Sequence, residues 1–135
     1  MSRNAGLDIW TWLTAVVLAH LVISLVHGLA HAQAHVPLSR AANLFVFLVI
    51  FGGPLVGLAL LRPAQRIGSW LIAVTMAGSL VFGVVNHFVL AGPDHVTHVD
   101  AQWRALFATT AILLAATEGL GCFLAIRSVR ERRLS

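Results

Sequence analysis

Charged residues are scarce in this sequence. Of its 135 residues only 10% are Asp, Glu, Lys or Arg, whereas an average soluble domain carries about 25%. Hydrophobic residues make up 59% of the chain. Such a chain has too few charges for a water-soluble globular fold and too much apolar surface for a disordered one. The composition therefore indicates an all-α integral membrane protein, and the length indicates a single domain over residues 1–135.

The sequence contains a single cysteine and no lysine. Cys122 is the only cysteine, which excludes an intrachain disulfide and a redox mechanism based on a cysteine pair. A C-x-x-C-H motif is absent too, so c-type haem attachment is excluded. The nine basic residues are all arginines and lie between apolar blocks rather than on one polar face. This distribution is not typical of a nucleic-acid-binding protein.

Four apolar blocks approach or exceed the roughly 20 residues that a membrane-spanning helix needs. They cover residues 9–30, 42–61, 67–90 and 105–126. The segments between them are short, which favours an antiparallel up-down bundle of four transmembrane helices. The first block is longer than the core of a signal peptide, so we expect it to be a span. Within the second block, the Gly53-x-x-x-Gly57 spacing predicts a close approach to a neighbouring helix.

The arginines predict the topology. The two ends of the chain and the segment 62–66 hold seven of the nine arginines, and the other two are Arg40 and Arg104. Because basic residues are concentrated on the cytoplasmic side, we expect both termini to be cytoplasmic. The predicted location is the cytoplasmic membrane, with the lipid bilayer as the main partner. A homo-oligomer or a larger membrane complex remains open.

This topology gathers histidines at the outer face. Helical spacing places His20, His27 and His31 on one stripe of the first span, and His87 ends the third. Imidazole ligands suit zinc, iron, copper, manganese or nickel when carboxylates are nearby. His35 is a weaker candidate because Pro37 follows it. The predicted metal ligands are His20, His27, His31, His87, His95 and His98.

Three acidic residues are candidates for catalysis. Asp94 and Asp100 follow the third span and could bind a metal or act as a general base. Glu118 lies within the fourth span, where an ionisable group is costly and is often functional. Its depth matches that of His20, which allows a hydrogen bond between them. The pair could orient a ligand, relay protons or only assist packing.

The pattern leaves three functions open. The first is a transition-metal protein with its site at the outer face, acting as an oxidoreductase or a hydrolase on a lipophilic substrate. The second is a membrane protein that binds haem b between His27 and His87 as axial ligands. The third is a non-catalytic membrane subunit, or a component of a pH-responsive or metal transporter.

Overall fold

Four helices make up most of the protein. The computed structural model describes residues 8–131, in which α1 is Ile9–Gln33, α2 is Arg40–Leu60, α3 is Gln65–Val89 and α4 is Ala101–Glu131. Each helix is long and apolar enough to cross a membrane. Residues 8–131 contain helices and turns but no strand. The helices cover the four predicted spans and differ from them by only a few residues at their ends.

Side-chain oxygens cap the N-terminal ends of three helices. The Asp8 carboxylate accepts a hydrogen bond of 2.6 Å from the N–H of Trp10, and the Ser39 hydroxyl accepts one of 3.1 Å from Ala42. Asp100 precedes α4, and its carboxylate lies 3.4 Å from the N–H of Gln102. Caps of this kind satisfy N–H groups that have no partner inside the helix.

Two helices contain π-helical turns. The first covers Val46–Gly52 in α2 and the second covers Val85–Val89 in α3. In a regular α-helix the carbonyl of Ile50 would accept a hydrogen bond from residue 54, but Pro54 has no N–H. The Nε2 atom of His20 lies 3.2 Å from this carbonyl and takes the place of the missing donor. Single π-turns are frequent at functional sites, and the second one contains His87.

The beginnings of α1 and α3 pack against the end of α4. Their buried apolar core consists of Leu13, Val17, Leu21, Ile72, Ala73, Met76 and Ala125. Nearby, the Ser128 hydroxyl donates a hydrogen bond of 3.1 Å to Ser69. Helices α2 and α3 approach closely, because a Cβ atom on Gly68 would lie 2.6 Å from the carbonyl oxygen of Gly57. This contact confirms the close approach that the glycine spacing predicts.

A second apolar core lies where α1 and α3 end and α4 begins. It consists of Ala30, Val36, Val99 and Phe107. The N–H of Val36 donates to the carbonyl of His31, and the N–H of Val96 donates to that of His87. These bonds fold the segments 34–39 and 90–100 back over the helix ends. Both segments thereby contact the histidines that the sequence predicts at this end of the bundle.

Candidate metal centre

Three buried histidines meet at this end of the bundle. His27 and His31 lie one helical turn apart on α1, and His87 lies in the π-helical turn of α3. Each side chain offers a ring nitrogen, and these three nitrogens all lie within 4.8 Å of one another. A cluster of three imidazoles with this spacing could hold a metal ion. We call it the histidine triad.

The ring of His27 contacts α4. Its Nδ1 atom lies 2.7 Å from the Thr110 hydroxyl oxygen, and that hydroxyl also lies 2.8 Å from the carbonyl oxygen of Leu106. In the tautomer of His27 in which the Thr110 hydroxyl donates to Leu106 and accepts from Nδ1–H, the Nε2 atom is bare and can bind a metal.

His87 is oriented in the same way by Asp94. The Nδ1 atom of His87 lies 3.1 Å from the backbone oxygen of Asp94 and 3.3 Å from its carboxylate. The backbone oxygen can only accept a hydrogen bond, so Nδ1 of His87 carries the proton, and Nε2 of the neutral ring is bare. The Nε2 atoms of His27 and His87 lie 3.2 Å apart. This distance fits an N–H···N hydrogen bond when His27 carries its proton on Nε2, and a shared metal ion when both Nε2 atoms are bare.

The separation of the two nitrogens matches metal coordination. With Zn–N bonds of about 2.0–2.1 Å, two ligands of a tetrahedral zinc lie roughly 3.3 Å apart. In metal sites the second ring nitrogen of a histidine ligand usually donates to a carbonyl or carboxylate, which fixes the orientation of the ring. The second nitrogen of His87 has a partner of this kind in the backbone oxygen of Asp94, whereas that of His27 contacts the Thr110 hydroxyl.

Asp94 connects His87 to the third member of the triad. Its Oδ1 atom lies 3.3 Å from Nε2 of His31, and the Nδ1 atom of His31 is buried without a hydrogen-bond partner. Burial acts to raise the pKa of the Asp94 carboxyl, but its interactions with His87, His31 and His27 lower this pKa below its ordinary value. The carboxylate therefore lies ionised beside two imidazoles, with Oδ1 3.3 Å from a ring nitrogen of each.

Phe107 forms an apolar wall behind the triad. Its ring centroid lies 4.7 Å from those of His27 and His31 and 5.2 Å from that of His87. An apolar shell of this kind restricts the access of water to a metal site. Phe107 and Thr110 both belong to α4, and the sequence does not single them out because Phe and Thr are common in membrane spans.

The other outer residues lie apart from the triad. The rings of His95 and His98 contact each other in a tilted arrangement with centroids 5.4 Å apart, and their Nδ1 atoms contact Thr97 and the backbone of Gly92. Neither histidine contributes a ligand atom to the histidine triad. His35 is exposed and has a left-handed backbone conformation with φ of 53°. Asp100 caps α4 as described above.

His20 and Glu118 form a second buried group. His20 is 0% exposed and Glu118 is 3% exposed. The Nδ1 atom of His20 lies 3.8 Å from Oε1 of Glu118, which is too far for a hydrogen bond. The sequence correctly places the two side chains at one depth, but it does not reveal that His20 binds the backbone of Ile50. Within residues 8–131, Glu118 has no hydrogen-bond partner.

A cavity of about 550 Å³ joins the triad to Glu118. The triad and Asp94 line one part of it, and Ser24, Ser79 and Glu118 line another. Most of the remaining wall is apolar and includes Leu25, Phe47, Phe82 and Leu114. Binding sites for small molecules are commonly apolar cavities of this size with a few polar groups.

Comparisons of the chain with protein-family models, with curated proteins and with solved structures gave no match.

Proposed function

We propose that this chain is a four-helix membrane protein that binds a transition-metal ion through His27, His31 and His87. The observation that carries the proposal is the group of three buried histidines whose ligand nitrogens lie within 4.8 Å of one another, with the Nε2 atoms of His27 and His87 3.2 Å apart. A divalent cation bound here would form coordination bonds with the tautomers in which these nitrogens are bare. Neutral imidazole nitrogens suit zinc, copper, iron and nickel.

Three histidines and a free position are typical of catalytic rather than structural zinc sites. A metal ion in this site would polarise a carbonyl or activate a water molecule. Asp94 holds His31 and His87 in place, and its negative charge favours the bound cation. The apolar cavity beside the triad supports a reaction on a lipophilic substrate, either a hydrolysis or an oxidation.

The geometry supports a non-haem metal better than haem. Axial ligands of a haem lie on opposite sides of the macrocycle, which needs a wide gap between the two rings. The rings of His27 and His87 are only 4.8 Å apart between centroids, and His27 lies 4.9 Å from His31. Phe107 packs against all three rings, so there is no gap between His27 and His87 that could admit a macrocycle.

The proposal includes the topology. The helices form an antiparallel bundle in the cytoplasmic membrane, with both termini in the cytoplasm because seven of the nine arginines lie on that side. The triad then opens toward the outer face. Exposed apolar side chains such as Phe47 (68% exposed) and Leu29 (65% exposed) support contact with lipid.

Metal analysis tests the site directly. The full chain is purified in detergent, incubated with Zn²⁺ and desalted, and its metal content is measured by mass spectrometry. We expect one equivalent of zinc in the wild type and in His98→Ala, the matched control, and less than a tenth of an equivalent in His87→Ala. A visible spectrum of untreated protein tests the haem alternative. Equal zinc content in the two variants, or an intense Soret band, would contradict the proposal.

A further inference from the structure

We propose that the cavity binds a lipophilic molecule that carries a hydroxyl group, taken up from the bilayer and held by Glu118 and Ser24. The other end of this lipophilic molecule lies next to the bound metal, and this one point rests on the proposed function. The binding of the molecule itself depends only on the cavity, so the two proposals can fail separately.

The polar part of this site consists of two buried side chains without partners. Glu118 is 3% exposed and Ser24 is 6% exposed, and both line the cavity. The Ser24 hydroxyl oxygen is buried without a hydrogen-bond partner. A buried polar group without a partner is costly. A ligand that supplies hydrogen bonds to both side chains removes this cost.

The atoms that line this part of the cavity fit a hydroxyl group better than a ketone or an ether. The Ser79 hydroxyl donates to the carbonyl of Thr75 at 2.8 Å, so its oxygen is left to accept. The carboxyl group of Glu118 also offers an acceptor oxygen, and the Ser24 hydroxyl can donate. A ligand hydroxyl donates to one of these acceptors and can still accept from Ser24, whereas a ketone or ether only accepts.

The rest of the cavity fits an apolar body. Leu25 and Leu29 of α1 and Phe47 of α2 line the cavity and are among the exposed apolar residues. The cavity thus opens between α1 and α2 onto an apolar surface that faces lipid in a membrane. Water gains little in such a cavity because it finds few hydrogen-bond partners. An alcohol or phenol with a hydrocarbon body matches both the polar and the apolar walls.

Helix α4 offers a matched pair of variants for testing this site. Ala115 lines the cavity, whereas its neighbour Ala116 is exposed and does not. Ala115→Phe places a large side chain in the cavity, and Ala116→Phe places the same side chain on the lipid-facing surface. Gly28→Leu is a second way to fill the cavity, since a Cβ atom on Gly28 meets nothing within 4 Å.

Binding is measured with tritium-labelled 1-dodecanol on the full chain in lipid nanodiscs. We expect saturable binding that Ala115→Phe and Gly28→Leu weaken at least tenfold and Ala116→Phe changes less than twofold. Glu118→Leu should weaken the binding of dodecanol about tenfold, because a hydrogen bond to the carboxyl group is lost, and leave the binding of n-dodecane unaffected. Zinc content is measured on every sample.

The outcomes separate the two proposals. If Ala115→Phe keeps its zinc but no longer binds dodecanol, and His87→Ala still binds dodecanol, the ligand site is distinct from the metal site. No saturable binding to the wild type, equal weakening by the Ala115 and Ala116 variants, or tighter binding of dodecylamine than of dodecanol overturns the hydroxyl ligand. A wild-type protein that binds dodecanol but no zinc contradicts only the metal site.

Discussion

The two groups of buried histidines differ in what their ring nitrogens contact. In the triad, His27 and His87 each place Nδ1 beside an oxygen outside the cluster and direct Nε2 toward the other ring. His20 also donates one N–H, but its acceptor is a backbone carbonyl left free by a proline. Its bare nitrogen faces a carboxyl group at 3.8 Å rather than another imidazole.

This difference separates a site arranged for a cation from one arranged for the backbone. The triad concentrates lone pairs, and it therefore gains most from a positive charge. His20 stabilises a π-helical turn within α2, and it leaves Glu118 available to the cavity. Histidines on one stripe of one helix thus acquire different roles through their neighbours on α2, α3 and α4.

Metal removal should give the largest difference in stability between proteins with an intact triad and proteins without one. At a free zinc concentration a thousand times the Kd, bound metal stabilises the folded protein by about 4 kcal/mol. We expect a chelator to lower the Tm of the wild type and of His20→Leu to a similar extent. Thermal unfolding in detergent, followed by circular dichroism, measures this shift. The same chelator should leave the Tm of His87→Ala unchanged, and a comparable decrease there would show that the chelator acts elsewhere.

Removing the hydrogen bond behind His27 should have a smaller effect. Thr110→Val deletes the oxygen that accepts from Nδ1–H of His27 but keeps the shape of the side chain. Loss of such a supporting contact typically weakens metal binding 10- to 100-fold, and competition with a chelator of known affinity measures the change. Thr109→Val, at an exposed neighbouring position, is the control. Similar zinc affinities in the two variants would mean that Thr110 does not orient His27.

The smallest effect should come from the backbone contact of His20. His20→Leu leaves the Ile50 carbonyl without this donor, and we expect a loss of about 0.6–1.7 kcal/mol of stability, the range of hydrogen bonds in membrane proteins. In a Pro54→Ala background residue 54 regains an N–H, so the same substitution should cost less. Equilibrium unfolding of the wild type, His20→Leu, Pro54→Ala and the double variant measures the coupling between the two substitutions. If His20→Leu instead abolishes zinc binding, the distinction between the two groups is wrong.

Periodicity and hydropathy were sufficient to predict the helices and part of the site. Apolar runs of 20 or more residues lead to helices because a chain must satisfy its backbone hydrogen bonds locally in an apolar environment. The four-residue spacing of His27 and His31 places them on one face, and short connections bring His87 to the same end. The same reasoning also included His95 and His98, which bind their own loop because turn conformation is not encoded in spacing.

Composition and pattern by themselves determined that this protein has four apolar helices and that histidines collect at one end. These properties depend on the period and length of apolar runs, which are local. The tertiary structure alone decided which atoms the ring nitrogens contact, because their partners are supplied by distant residues such as Thr110 and Asp94. It also decided that His20 binds α2, since that contact depends on how two helices pack side by side.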